Sequence, residues 1–432
     1  MQSKYIFVLI ILCLCFNVQA QSPKAKYGTF ALTNANIETV TKGVINNGTV
    51  IIRNGKIDAV GTNVQIPQGA EVIDCKGSWI YPGMIDAGTT IGLIEFGAYA
   101  QATDVTEVGD VVPQVRALTA VNPNSAAIPI NRISGVTTAL TVPGGELFSG
   151  IAALVNLHGY TPDQMFAGFE GVVLNYPRTG RRGGFDRRTD EEIKKANDKA
   201  IARLNEVWEK AVQYHKVDSA TKGTSGYYPE MQALVPVVRG EMTLLIEVNA
   251  AKDIRAAIKW VKEKNIEKVV LTGVAEGWRV ADEIAKANIP VLAGPVLELP
   301  SREYDRYDKA YQNPGLMKKA GVKVALRTVD GNLNYRNLPY HAGFAAAYGM
   351  GREEALKAIT IVPAEIFGVS NKLGSIEQGK IANLFICNGD PFEPKTQVSH
   401  VFIEGWQMPM VSRQTLLYDE FMQRDPGVTK QK

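Results

Sequence analysis

Hydrophobic and polar positions follow one rhythm at the two ends of this chain and another in between. From Thr29 to Gly77 the apolar residues come in short alternating runs, such as Thr49-Val-Ile-Ile-Arg53 and Lys56-Ile-Asp-Ala-Val60, separated by Asn54-Gly55. Asn-Gly supplies two residues that tolerate a left-handed backbone, which a tight hairpin turn requires, so a strand-turn-strand unit is predicted. The same texture returns near the other end, in Asn383-Leu-Phe-Ile-Cys387 and His400-Val-Phe-Ile403 around the turn residues Gly389-Asp390-Pro391. Segments this small cannot bury their apolar faces alone. A small β-sandwich built from both chain ends, 26–83 and 373–412, is therefore predicted, and it brings the ends of the intervening stretch together.

Between residues 84 and 372 apolar strand-like runs alternate with amphipathic helices, the signature of a parallel α/β domain. Val136 to Val142, Leu244 to Val248, Val269 to Thr272, Val291 to Ala293 and Val322 to Leu326 read as strands, with helices over Ala251 to Lys264 and Val280 to Ala287. Repeated strand-helix units over this length predict a (β/α)8 TIM-like barrel. A polar helix opening at Thr189 with the capping box Thr-Asp-Glu-Glu and running to about His215 is predicted as a surface insertion near 178–228.

Composition adds a location and removes some functions. Met1-Gln-Ser-Lys4, an apolar run from Tyr5 to Phe16, and the small residues Val18 and Ala20 predict a signal peptide over 1–20, hence export to the periplasm. That run is too short to span a bilayer, and neither Cys13 nor Cys15 follows the small residues that lipidation needs. Cys75 and Cys387 remain after cleavage, too few for a disulfide framework. The formal net charge is only +3 in 432 residues. The arginines at 178, 181, 182, 187 and 188 lie among glycines without aromatic partners, so a solvated loop rather than a nucleic-acid surface is predicted.

Five blocks resemble one known family: VIDCKGSWIYPGMIDAGTTIGL (Val72 to Leu93), GVTTALTVPGG (Gly135 to Gly145), NLPYHAG (Asn337 to Gly343), EEALKAITIVPAEIFGV (Glu353 to Val369) and LGSIEQGKIANLFICNGDP (Leu373 to Pro391). Their order and spacing are similar to imidazolonepropionase-like members of the amidohydrolase superfamily. The resemblance implies a (β/α)8 barrel with a flanking sandwich. It also implies hydrolysis of non-peptide C–N bonds with one or two divalent metals, whose bound water loses its proton near neutrality.

At the positions where the family carries its ligands, this chain departs. The His-x-His pair of the first strand is replaced by Gly88 and Thr90; the fifth-strand histidine by Asn249, or by Glu247 in a shifted register; the sixth-strand histidine by Thr272 or its neighbour. Only Asp330 can match the eighth-strand acid, with Val329 in the alternative register. The histidines of the chain, His158, His215, His341 and His400, match no ligand position. These departures predict no metal and no cofactor. They favour a pseudoenzyme that acts as a homodimer or as a heterodimer with a metal-competent relative. The alternatives are a divergent hydrolase using Glu247 and Asp330, with Asn249 and Glu276 beside them, and a periplasmic small-ligand binder. In the last case Tyr304, Tyr307, Tyr311 and Tyr335 are expected on loops at the barrel mouth, and Glu298 and Arg302 either meet the ligand or pair with each other.

Overall fold

The structure, a computed structural model, describes residues 24–95, 99–181, 186–221, 226–329 and 335–424. The signal-peptide segment, Arg182 and Asp330 lie outside these residues.

Eight strands form a nearly closed barrel in sequence order: Met84–Thr89, Val136–Thr141, Phe148–Asn156, Phe166–Asn175, Thr243–Val248, Val269–Gly273, Val291–Ala293 and Val324–Leu326. Beyond the last strand, the backbone N–H of Val329 donates to the carbonyl of Gly88 at 2.9 Å and draws the eighth strand end to the first. The family-level expectation of a TIM-like barrel is met. One strand corrects the regular alternation: Phe148–Asn156 runs antiparallel to both neighbours. Only residues 142–147 separate it from the preceding strand. That is room for a hairpin and too little for the crossover that a parallel partner needs.

Alternate residues of each strand point to opposite faces. One set, including Ile85, Ala87, Leu140, Leu154, Val173, Leu245, Val270, Leu292 and Ala325, fills the barrel interior, closed from below by Phe367 and Val369. The other set, including Leu244, Ile246, Leu271, Val291 and Val324, packs outward. This parity decides the direction of the strand-end residues: Glu247 follows Leu245 inward, Thr272 follows Val270, and Arg327 follows Ala325.

The helix Asp190–Ala220 starts at the Thr189–Glu192 capping box. It is more than a surface insertion, because Leu204, Val207, Trp208 and Ala211 are buried. Trp208 meets Trp260 edge-on at 5.6 Å, and the Trp260 indole N–H donates to Asn205 at 3.1 Å. Both chain ends enter one nine-stranded sheet. There Leu384–Cys387 pairs antiparallel with Trp79–Pro82, and Lys26–Tyr27 with Trp406–Met408. Its core joins Phe30, Ile37, Ile52 and Ile80 to Leu384, Ile386 and Phe402, and Phe30 packs edge-on against Phe402 at 5.2 Å. Asn54 and Gly55 take φ of 52° and 77°, as the hairpin requires. Cys75 and Cys387 are both buried free thiols. Among the described residues, no helix is long and apolar enough to cross a membrane.

Candidate functional site

The ends of the fifth to eighth strands converge on one guanidinium. Arg327, 6% exposed, stands immediately after the eighth strand with its side chain across the barrel mouth. Its Nη1 lies 2.7 Å from Glu247 Oε2 and donates to the Thr272 hydroxyl at 3.2 Å; its Nη2 donates to Glu247 Oε1 at 2.9 Å. Its Nε donates to the Gly294 carbonyl at 3.3 Å. Glu247 also accepts the Thr272 hydroxyl on Oε2 and the Asn249 amide on Oε1 at 3.1 Å. Two-point pairing of a planar guanidinium with a carboxylate is the strongest geometry open to these groups. Burial alone raises the Glu247 pKa, but the charge and hydrogen bonds of Arg327 outweigh it and hold the carboxyl below its ordinary value.

Two glycines make room for this arrangement. A Cβ at Gly88 would lie 3.0 Å from Cδ of Arg327, so the histidine expected there from the family would have to displace the arginine stem. Gly273 has φ of +83°, and a Cβ there would come within 2.6 Å of both Asn249 Oδ1 and Glu247 Oε1. The first strand contributes Asp86, 1% exposed, whose Oδ1 accepts the backbone N–H groups of Gly88 and Thr328, both at 3.1 Å, and whose Oδ2 accepts the Thr328 hydroxyl. Burial dominates those contacts and pushes the Asp86 pKa up to about 6. The hydroxyls of Thr89 and Thr90 are buried without a hydrogen-bond partner.

Asp86 gives a pH-dependent prediction. Its folded pKa lies above the unfolded value of about 3.8, so its stabilising contribution is complete below pH 3.8 and is lost as pH rises through 6. Replacing it with Asn removes that loss, which integrates to roughly 3 kcal/mol over about two pKa units. Urea unfolding at pH 4.5 and pH 7 is expected to find Asp86→Asn gaining on the parent between the two. A difference that stays constant with pH contradicts the assignment.

The structure brings Glu247, Asn249, Thr272 and Gly88 together around Arg327. Asp330 lies outside the described residues. Glu276 does not touch Arg327: it is buried, accepts the N–H of Ala251 at the start of a helix, and pairs with Arg302. Although burial raises the Glu276 pKa, Arg302 and that N–H together hold it below the ordinary value. Arg302 therefore pairs with Glu276 and not with Glu298, correcting that reading. Tyr304 and Tyr307 are exposed, Tyr311 packs against Phe344 and Tyr348, and Tyr335 is a core residue at 4% exposure. His341 is also in the core, where its Nδ1 accepts the N–H of Val296 at 3.0 Å and burial drives its pKa down to about 4. Beside the ion pair a cavity opens between Asn249, Gly273, Glu276, Trp278, Glu298 and Lys309. The Trp278 ring in its wall carries Arg279 at 4.1 Å and Lys309 at 4.7 Å from its centroid.

Comparison with known proteins defines the lineage of this mouth. The model of the amidohydrolase family matches residues 163–408, from just before the fourth barrel strand to the last strand of the nine-stranded sheet. The chain belongs to the amidohydrolase family. Within it the chain is imidazolonepropionase-like: it is 27% identical over 386 residues to the imidazolonepropionase of Geobacillus kaustophilus, covering 80% of this chain and 85% of that one. The amidohydrolase tasK of Hapsidospora irregularis is 20% identical over 402 residues, 83% of this chain but only 39% of tasK. The solved amidohydrolase of Thermotoga maritima superposes with a TM-score of 0.78 at 25% identity, over 88% of this chain and 99% of that one.

Membership corrects the expectation of no cofactor. The amidohydrolases to which this chain is related are metal-dependent, so an assignment of none does not stand on family grounds. Whether these particular strand ends fit a divalent ion is a matter of their own chemistry. Gly88 has no donor atom, both Glu247 oxygens are engaged, and Arg327 already places positive charge where the strand ends converge. Among the described residues no three His, Cys, Asp or Glu side chains are grouped to hold a metal. The described residues do not fit such an ion at the mouth.

Arg327 is the residue that sequence reasoning missed. Its signal was a cation two residues past Ala325, on the inward parity of the eighth strand, with Glu247 on the inward parity of the fifth.

Proposed function

We propose that this chain is an exported partner subunit of a related amidohydrolase that retains its histidines, with its own barrel mouth converted from a hydrolytic centre into a fixed ion pair. The observation that carries the reading is the saturation of Glu247, which accepts from two guanidinium nitrogens, an amide and a hydroxyl. A general base needs a lone pair free to reach water or substrate. Glu247 would have to break its bond to Arg327 to offer one, leaving a charge stranded at the mouth.

The partner role is supported by the helix Arg413–Gln423, which buries none of its residues and exposes Leu416, Leu417, Tyr418, Phe421 and Met422. Large apolar side chains clustered in the open on one helix mark an association surface. Export is supported by the apolar run and small residues ahead of Gln21. A second reading, small-ligand binding, is favoured by the Trp278-walled cavity beside the ion pair.

Two measurements on the mature chain test the proposal. Pull-down from native periplasmic extract is expected to recover an amidohydrolase with an intact His-x-His pair. The purified chain alone is expected to turn over neither cyclic nor linear amides. Recovery of this chain alone at near-native concentration, or amide turnover abolished by Glu247→Gln, overturns it.

A further inference from the structure

A second cavity, remote from the mouth, is lined by Asn124, Ser125, Arg132, His158 and Tyr160 on an apolar floor that includes Ile128 and Met165. Arg132 ends the helix Ala127–Arg132, and His158 follows the antiparallel third strand, so the cavity lies at the opposite end of the barrel from Arg327. Arg132 also reaches the nine-stranded sheet: Nη1 donates to the Leu157 carbonyl at 3.3 Å and touches Met408 Sδ at 3.6 Å. Its Nε is buried with no hydrogen-bond partner. No carboxylate lies among the cavity-lining residues or pairs with this guanidinium within the described chain.

Two physical facts make this an unusual place for an arginine. A guanidinium carries five donors and no acceptor, so a carbonyl and a thioether sulfur leave most of its capacity unused. A charge partly withdrawn from water without a counter-charge is expensive, and folded proteins normally supply a carboxylate. The rest of the lining can donate: the Asn124 amide, the hydroxyls of Ser125 and Tyr160, and the His158 ring. The His158 ring stands 5.4 Å from the Trp406 ring, and its pKa is lowered by burial and then by Arg132. A bound anion beside both groups would reverse the second effect.

We infer that this cavity is a binding site for a small oxyanion, a phosphate-type or carboxylate group, held by Arg132 and His158 between the barrel and the nine-stranded sheet. The ligand is an acceptor-rich group of opposite charge, the complement of a lining that carries positive charge and donors. The site is independent of the mouth and of the partner role proposed above.

Inorganic phosphate and acetate, each against sodium chloride at matched ionic strength, serve as probes on the full mature chain. At tens of millimolar, at least one of the two is expected to raise the melting temperature by a few degrees beyond the chloride control. Arg132→Met, which keeps the stem and loses every donor, is expected to abolish that excess. A response to phosphate alone assigns a tetrahedral ligand, and one to acetate alone a planar carboxylate. In the parent protein the same anion is expected to raise the His158 pKa, followed by the ring resonances in NMR, so the test survives if Arg132→Met fails to fold. No excess stabilisation by either anion, equal stabilisation of parent and variant, or an unmoved His158 overturns the site.

Discussion

Replacing Arg327 with Met is expected to cost about 3 kcal/mol of stability at pH 7, the penalty of leaving one partner of a buried ion pair without the other. The substitution preserves much of the stem that passes over Gly88 while removing every donor to Glu247, Thr272 and the Gly294 carbonyl. In a chain of this length the loss corresponds to a fall in melting temperature of roughly 5 °C. The pH dependence separates this mechanism from simple loss of packing. In the parent, the Glu247 pKa is held below its unfolded value, so its contribution is present above the ordinary carboxylate range and fades as pH falls through the lowered value. Without Arg327, burial prevails and raises that pKa, so the contribution reverses sign and is lost as pH rises. Thermal melts at pH 4.5 and pH 7 are expected to show the variant's deficit widening with pH. A deficit independent of pH would mean that Arg327 acts by volume alone.

Truncation after Leu373 is expected to abolish cooperative folding altogether. The deletion removes three of the nine strands in the sheet shared by the chain ends, including Leu384–Cys387, which lies against Trp79–Pro82. Leu384, Phe385, Ile386, Phe402 and Ile403 are each at most 1% exposed. At about 1.5–3 kcal/mol per fully buried large side chain, their loss is on the order of 10 kcal/mol. That matches the whole stability of a typical domain. The N-terminal strands would also present Phe30, Ile37 and Ile80 to water. Solubility after expression and the thermal melt report the outcome; a soluble, cooperatively melting monomer would refute the shared sheet.

Much of this architecture is legible in the sequence because it rests on local chemistry. Asn54-Gly55 announces its hairpin, and Thr189 with Glu192 caps the long helix, since turn and cap residues act within four positions of themselves. The reversed third strand is harder to read. All nine residues from Phe148 to Asn156 are buried, so the apolar run has the same texture in either direction, and only the short link before it betrays the hairpin. The mouth is harder still. That Gly88 and Thr90 replace histidines follows from the resemblance, but what occupies the vacated space depends on barrel register, which places Arg327 and Glu247, 80 residues apart, in two-point contact. Histidine at residue 88 therefore competes with the stem of Arg327, an obstacle visible only once the strands are closed. Tyr335 and His341 misled for the same reason: loop-like and helix-opening in sequence, both are buried in the core.

A double-mutant cycle between Arg327 and Glu247 tests the converted mouth most directly. Urea unfolding of the parent, Arg327→Met, Glu247→Gln and the double variant at pH 7 yields the coupling energy between the two side chains. A fixed, partly buried, two-point ion pair predicts a coupling of about 2–3 kcal/mol, with the double variant more stable than Arg327→Met. A coupling below about 0.5 kcal/mol, the size of additivity error between independent sites, would contradict the account.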